Sequence, residues 1–267
     1  KRHDFHIKYH VGFNDNGKIT GIEFKHYVRC GWSADLSIPV ADRAMLHSDN
    51  AYFLSDVKIT SYRLLTNTQS ATAFRGFGGP QGMVGIEQVI NHIAQYLKKD
   101  ALKVRELNFY KNPSKDLKNL QTTPYHMPIS DSIIRPLVKK LKLASNYEIR
   151  RQEVQNWNAE NKILKKGLAL TPVKFGISFT LTHLNQAGAL VHIYQDGSIR
   201  INHGGTEMGQ GLFQKVAQVA AEEFSQPVEV VKITATDTGK VPNTSATAAS
   251  SGTDLNGMAI QAACNKI

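Results

Sequence analysis

The chain has 267 residues, 41% of them hydrophobic, enough for one large soluble domain or two of medium size. No apolar run approaches the roughly 20 residues of a membrane-spanning helix, so no membrane partner is expected. Lysine and arginine number 32 against 22 acidic residues, a net charge of +10. The basic residues are scattered, with the densest groups at Lys98 and Lys99, at Lys139, Lys140 and Lys142, and at Lys165 and Lys166. No nucleic-acid-binding module accompanies them, so the excess reads as solvated surface and nucleic acid is not expected as a partner. Cys30 and Cys264 lie far apart and read as reduced core residues of a cytoplasmic protein. The sequence has no Cys-x-x-Cys, and its His-x-x-x-His spacing, His6 to His10, falls in an alternating, strand-like stretch where residues four apart are too distant to share a metal, so a zinc, calcium or iron–sulfur site held by protein ligands has no support.

In chain order, Phe5, Ile7, Tyr9, Val11 and Phe13 alternate with other residues and predict a strand. Asn16-Gly17 predicts a hairpin turn, with residues 18–29 as the partner strand. Residues 36–50 carry no decisive pattern, and residues 58–65 predict another strand. Next comes a glycine-rich stretch, residues 73–82. It opens a helix in which Met83, Ile86, Ile90, Ile93 and Leu97 recur at three- and four-residue steps. Asp100 is placed to cap a following helix that carries Leu102, Val104 and Phe109. Lys111-Asn112-Pro113-Ser114 ends that helix and suggests a domain boundary, dividing the chain into residues 1–114 and 115–267.

Beyond the boundary, helices are expected near residues 131–143 and 146–161, with Pro136 kinking the first or lying in its opening turn. Residues 174–180 and 187–194 predict strands. Asp196-Gly197 turns the second of these into a strand over residues 198–202. Leu212, Val216, Val219 and Ala220 mark a helix, residues 228–234 a strand, and Asp254 the start of a last helix expected to run on to Ile267 without closing. No sustained strand–helix alternation appears, so the fold class is α+β.

Three segments share one design. Ala73-Phe74-Arg75-Gly76-Phe77-Gly78-Gly79-Pro80-Gln81-Gly82, His203-Gly204-Gly205-Thr206-Glu207-Met208-Gly209-Gln210-Gly211 and Thr247-Ala248-Ala249-Ser250-Ser251-Gly252-Thr253-Asp254 each lead into a helix. Glycine lets backbone approach a ligand closely, and a helix start presents free N–H groups and a positive dipole end to an anion. Together they suggest a cradle for a large anionic cofactor. The alternative is three tight, well-capped turns.

The first two segments, together with Gly176-Ile177-Ser178-Phe179-Thr180, Leu184-Asn185-Gln186-Ala187-Gly188-Ala189-Leu190 and Val241-Pro242-Asn243-Thr244-Ser245-Ala246-Thr247-Ala248-Ala249-Ser250, resemble the molybdenum-binding portion of the molybdenum hydroxylases. The resemblance covers essentially the whole chain in order and spacing. It implies parts of two mixed α/β molybdenum-cofactor-binding domains of the xanthine dehydrogenase/aldehyde oxidase type. Arg43 and Gly79 are the xanthine dehydrogenase forms of their positions rather than the aldehyde oxidase forms. Asp42 departs from the glutamate often found there.

By this resemblance a molybdenum–molybdopterin cofactor is implied, bound by loops. Arg75 and Ala249 lie at the metal. Gln210 bonds the pterin. Gly76, Gly209, Gly211 and Ser250 complete the cofactor contacts. The substrate residues implied are Arg43, Phe77, Phe179 and Thr180. Arg43 would stabilise negative charge on a purine, Phe77 and Phe179 would hold its flat ring, and Thr180 would bond a carbonyl. On residue type alone, Arg43 could equally be a surface arginine, the phenylalanines core residues, and Thr180 a threonine bonding its own backbone. His203 is not expected to be a general base, and Glu207 reads as structural.

The activity implied is hydroxylation of hypoxanthine or xanthine to urate, with electrons leaving through iron–sulfur centres and FAD to NAD. The family's catalytic glutamate motif and the iron–sulfur, flavin and NAD elements are absent from these residues. The chain is therefore expected to be an internal portion of a longer enzyme, inactive alone, with the remaining molybdenum-domain segments and the iron–sulfur and flavin parts as partners in an oligomeric parent. The alternatives are an aldehyde oxidase-type hydroxylase acting on aldehydes or other heterocycles and, from another class, a basic nucleic-acid-binding domain.

Overall fold

The structure, a computed structural model, describes residues 1–111, 120–177, 179–234, 236–239 and 244–267. It divides into two compact units, Lys1–Phe175 and Gly176–Ile267. Three residues of the expected boundary, Asn112, Pro113 and Ser114, lie outside the described residues.

The first unit begins with β1 (Asp4–Phe13) and β2 (Ile19–Gly31), paired antiparallel. Asn14 shapes the turn between them: its side-chain oxygen accepts the N–H groups of Asn16 and Lys18. β3 (Val57–Leu65) then pairs with β2 in parallel, giving the order β1-β2-β3. A parallel neighbour cannot follow a tight turn and needs a crossover. The crossover is α1 (Ser37–Leu46), formed by the residues that carried no decisive pattern, and it buries Val40, Ala41 and Ala44. α2 (Gly79–Tyr96) lays Ile86, Val89, Ile90 and Ile93 into a core shared with Ile19, Ile22 and Phe24 of β2. Asp100 caps α3 (Ala101–Asn108), its carboxylate accepting the Leu102 N–H at 2.8 Å. α4 (Ile134–Ala144) takes Pro136 in its opening turn, where the missing N–H costs nothing. α5 (Tyr147–Glu160) follows.

The second unit repeats the same strand plan at smaller size. β4 (Ala189–Ile193) and β5 (Ile199–His203) are antiparallel. α6 (Leu212–Glu223) crosses over, and β6 (Val231–Ile233) joins β5 in parallel after a single 3₁₀ turn at Val228–Val230. α7 (Gly252–Cys264) packs beside α6, with Val216, Ala220 and Ile260 buried over Ile199 and Ile201.

Two expectations need correction. α7 closes at Cys264, where Asn265 donates its N–H to the Gln261 carbonyl at 3.0 Å. Residues 174–180 join no ladder among the described residues; side chains supply their partners instead. Asn50 donates to the Pro172 carbonyl and accepts the Lys174 N–H, both near 3 Å. Asn185 brackets Phe179 in the same way, accepting its N–H at 3.2 Å and donating to its carbonyl at 2.9 Å. An amide side chain that satisfies both backbone groups removes the need for a neighbouring strand.

Candidate functional site

In the first unit, most glycines of the residue 73–82 segment serve packing. Gly78 has φ +92°, and a Cβ there would lie 2.0 Å from the Val40 carbonyl oxygen. A Cβ at Gly82 would lie 2.1 Å from the Ala44 carbonyl oxygen. Both glycines let the opening of α2 rest directly on the backbone of α1. Gly76, expected at the cofactor, holds φ +90°, and a Cβ there would lie 2.4 Å from the Pro80 ring. Arg75, just before Gly76, is exposed, and its carbonyl accepts a bond from Arg2. Phe77 is buried in the left-handed region at φ +50°, where a bulky residue is uncommon.

The contact between α1 and α2 brings the last turn of α1 beside this loop. There Arg43 is only 1% exposed, which rules out the surface-arginine alternative. Its guanidinium carbon lies 4.7 Å from the centre of the Phe175 ring. His47, one turn on, has its ring centre 5.1 Å from the same ring and its Nδ1 2.8 Å from the Arg43 carbonyl oxygen. Burial pushes the pKa values of both Arg43 and His47 below their ordinary values. A guanidinium nonetheless keeps its proton in a protein. His47 is thereby disfavoured as a second cation beside it. Asp42, the departure from the family's glutamate, is only half-buried and pairs with Arg63 at 3.6 Å.

In the second unit, the loops before α6 and α7 lie against each other. The Thr206 N–H donates to the Thr247 hydroxyl at 2.8 Å, and a Cβ on Gly204 would fall 2.0 Å from Thr244. His203 is buried, and its Nδ1 accepts the Gly205 N–H at 3.0 Å. Burial lowers its pKa, partly offset by Asn256. It braces the loop. Glu207 occupies the start of α6: its carboxylate accepts the N–H groups of Gly209, Gly211 and Phe213 at 2.8, 3.0 and 3.1 Å. These donors, that of Phe213 first, hold its pKa below the usual glutamate value.

Gln210 is exposed and turned onto its own loop, donating to the Thr206 carbonyl and accepting the Met208 N–H. Gly209 and Gly211 have positive φ, with open space where a Cβ would be. Ala249 and Ser250 hold φ +57° and +59°, rarely adopted by non-glycine residues. Phe179 and Thr180 are half-buried at the start of this unit.

The expected residues thus fall into two groups. Arg43, Arg75, Gly76 and Phe77 flank the α1–α2 junction, whereas Phe179, Thr180, Gly209, Gln210, Gly211, Ala249 and Ser250 belong to the second unit. The donor set of the second unit suits an anionic group, since its helix-start N–H groups already hold a carboxylate. Among the described residues, no cluster of three His, Cys, Asp or Glu side chains could hold a metal, and no helix is long and apolar enough to cross a membrane. Sequence reasoning passed over Phe175 and the bracketing residues Asn50 and Asn185. Phe175 differs in no sequence pattern from a core phenylalanine, nothing local announces the contacts of Asn50 with Pro172 and Lys174 over 100 positions away, and Asn185 reaches Phe179 from six positions on with no pattern to mark it.

Two family models match the chain, and the second begins within the first compact unit. Residues 1–109 and residues 140–267 each match a molybdopterin cofactor-binding domain. Over its full length the chain is 46% identical to xanthine dehydrogenase of Dictyostelium discoideum, 47% to that of Blastobotrys adeninivorans and 46% to xanthine dehydrogenase 1 of Arabidopsis thaliana. It spans 19% of the length of each. Among solved structures it matches a Cu,Mo-CO dehydrogenase with a TM-score of 0.80 at 21% identity, covering 98% of this chain and 34% of that one. It also matches an aldehyde oxidoreductase from Desulfovibrio desulfuricans with a TM-score of 0.77 at 20% identity, covering 99% and 28%. These structural likenesses support the fold. The chain belongs to the molybdenum hydroxylase family, in its xanthine dehydrogenase branch.

Proposed function

We propose that this chain is part of a hydroxylase that converts hypoxanthine and xanthine to urate in purine catabolism. In that enzyme, residues 1–114 are the end of one cofactor domain and residues 115–267 the start of the next. The family matches ending at residue 109 and beginning at residue 140 support that division. The observation that carries the substrate assignment is the buried guanidinium of Arg43 at the end of α1. A buried cation acts with little screening by water, and attack on a purine carbon throws negative charge onto the ring. A fixed cation there stabilises that charge without having to reorganise.

The molybdenum cofactor, when bound, supplies the hydroxylation and takes up the electrons. Arg75 and the backbone of Ala249 would stand at its metal side, Gln210 would bond the pterin, and the N–H groups of Gly209, Gly211 and Ser250 would meet the phosphate, with Gly76 allowing the approach beside Arg75. Phe77 and Phe179 hold the flat substrate, and Thr180 bonds a carbonyl. The left-handed conformations of Phe77, Ala249 and Ser250 support a site, because such strain concentrates where function demands it. Glu207 must release some of its N–H donors for the phosphate to bind.

The same reading has electrons passing through iron–sulfur and FAD centres of the longer, oligomeric enzyme to NAD. The two buried free thiols, Cys30 and Cys264, suit a reducing cytoplasm. Changing Arg43 to methionine in the complete enzyme tests the substrate assignment. kcat/KM for xanthine should fall by about 10²–10³, the scale of removing one charge-stabilising donor, while an uncharged aldehyde keeps most of its rate. An unchanged xanthine rate refutes the assignment. The 267 residues alone should make no urate, and steady turnover by the purified chain would overturn that expectation.

A further inference from the structure

We infer that Phe175 is a positioning residue that fixes the guanidinium of Arg43, and that Gly79 exists to admit its ring. The inference rests on the proposed role of Arg43 as the substrate arginine. Arg43 hangs from the last turn of α1 on a long side chain, and a stabilising cation is useful only where it is held still. Phe175 lies 4.7 Å below the guanidinium carbon, well within the range of a cation–π contact. His47 packs on the same ring, tilted, with its centre 5.1 Å away.

The ring has just enough room. A Cβ on Gly79 would sit 2.9 Å from Phe175 Cε2 and 3.6 Å from His47 Cδ2. Gly79 has an ordinary helical conformation rather than a positive φ, so no backbone requirement explains it. The ring edge is the nearest atom such a Cβ would meet.

Phe175 is itself anchored from the residue before it. Lys174 gives its N–H to Asn50 and its ammonium to the buried carboxylate of Asp49, which Tyr110 also bonds at 2.7 Å. Asn50 in turn holds Pro172 and donates to Glu87 of α2 at 3.0 Å. The segment carrying Phe175 is therefore tied to the loop after α1 and to α2. These are the two helices whose junction holds Arg43.

The test uses the complete enzyme with xanthine and an uncharged aldehyde as paired substrates. Phe175→Leu should lower kcat/KM for xanthine by about three- to thirty-fold, the range of a desolvated cation–π contact, chiefly through kcat. The aldehyde rate should change less than about twofold. Phe175→Tyr, which keeps the ring face, should recover most of the loss. Gly79→Ala should reproduce the loss and not add to it. In an Arg43→Met background, Phe175→Leu should have no further effect on xanthine.

Equal losses on both substrates, or an undiminished effect of Phe175→Leu when Arg43 is absent, overturn the inference. If Phe175→Leu fails to fold, Gly79→Ala and Phe175→Tyr make the same comparison. If Arg43→Met itself leaves xanthine turnover unchanged, the substrate-arginine reading falls. The contact is then judged from urea unfolding of the 267-residue chain. Coupling between Arg43→Met and Phe175→Leu preserves the positioning claim, and strict additivity removes it.

Discussion

Replacing Gly78 by alanine separates the two reasons a glycine can stand in a loop. Gly78 has φ +92°, and so does Gly17 to within a degree, at +93°. Either substitution forces an alanine into a conformation that costs it about 1–2 kcal/mol. The neighbourhoods differ. At Gly17 the new Cβ meets only methyl groups of Val104 and Leu97 at 3.3–3.5 Å, which can rotate away. At Gly78 it falls 2.0 Å from the Val40 carbonyl oxygen and 3.1 Å from the Ala44 amide nitrogen, so α1 and α2 must part. Forcing extra volume into such a contact adds about 1–3 kcal/mol. Gly78→Ala should therefore cost about 2–5 kcal/mol and Gly17→Ala about 1–2 kcal/mol, out of a total of about 5–15 kcal/mol. Both tryptophans, Trp32 and Trp157, lie in the first unit, so their fluorescence in urea reports that unit alone. At a slope of about 2 kcal/mol per molar urea, the Gly78 variant should lose about 1–2.5 M in midpoint. Equal midpoints for the two variants would show that helix contact does not demand this glycine.

Three further expectations concern charge. His26 is fully buried between Phe5 and Phe24, and neither ring nitrogen meets a hydrogen-bond partner among the described residues. Burial pulls its pKa from 6.5 down to about 4. The unfolded chain therefore takes up this proton first. First-unit stability should fall by up to about 3 kcal/mol between pH 6.5 and 4 and then level off, and His26→Leu should remove that loss in urea titrations.

Glu207 has a folded-state pKa below its unfolded one, so its contribution is complete above pH 4.5 and disappears as pH falls through the lower folded value. The amide proton shifts of Gly209 and Gly211 should move in that acid range, and Glu207→Gln should abolish the movement. Lys174→Met strands the carboxylate of Asp49, itself 1% exposed, and should destabilise the first unit by about 3–5 kcal/mol by the same fluorescence assay. A loss below 1 kcal/mol would mean that the ion pair holds little in place.

Much of the architecture could be read from the order of residues, because its causes are local. The alternation from Phe5 to Phe13, the Asn16-Gly17 turn, the apolar spacing in α2 and the Asp100 cap each act over a few residues, and each element formed where its signal lay. The family, too, was readable from motif order. Residues 36–50 were not, because α1 is decided by what it buries between β2 and β3 rather than by its own pattern. Residues 174–180 misled for the opposite reason. Their strand-like composition was overridden by Asn50 and Asn185, whose amides took the backbone groups a ladder would have used.

By itself, then, the sequence determined the elements with strong local signals, the kinship and the list of residues at which chemistry was to be expected. Tertiary structure alone decided what those residues do for the fold. It buried Arg43 over Phe175, gave Gly78 and Gly82 to the packing of α1 on α2, and seated Glu207 on the N–H groups of α6. The reason is range. Helix periodicity, turns and caps arise within a few residues of chain, whereas a ring beneath a guanidinium more than a hundred residues away exists only once two helices and a distant segment have closed on each other.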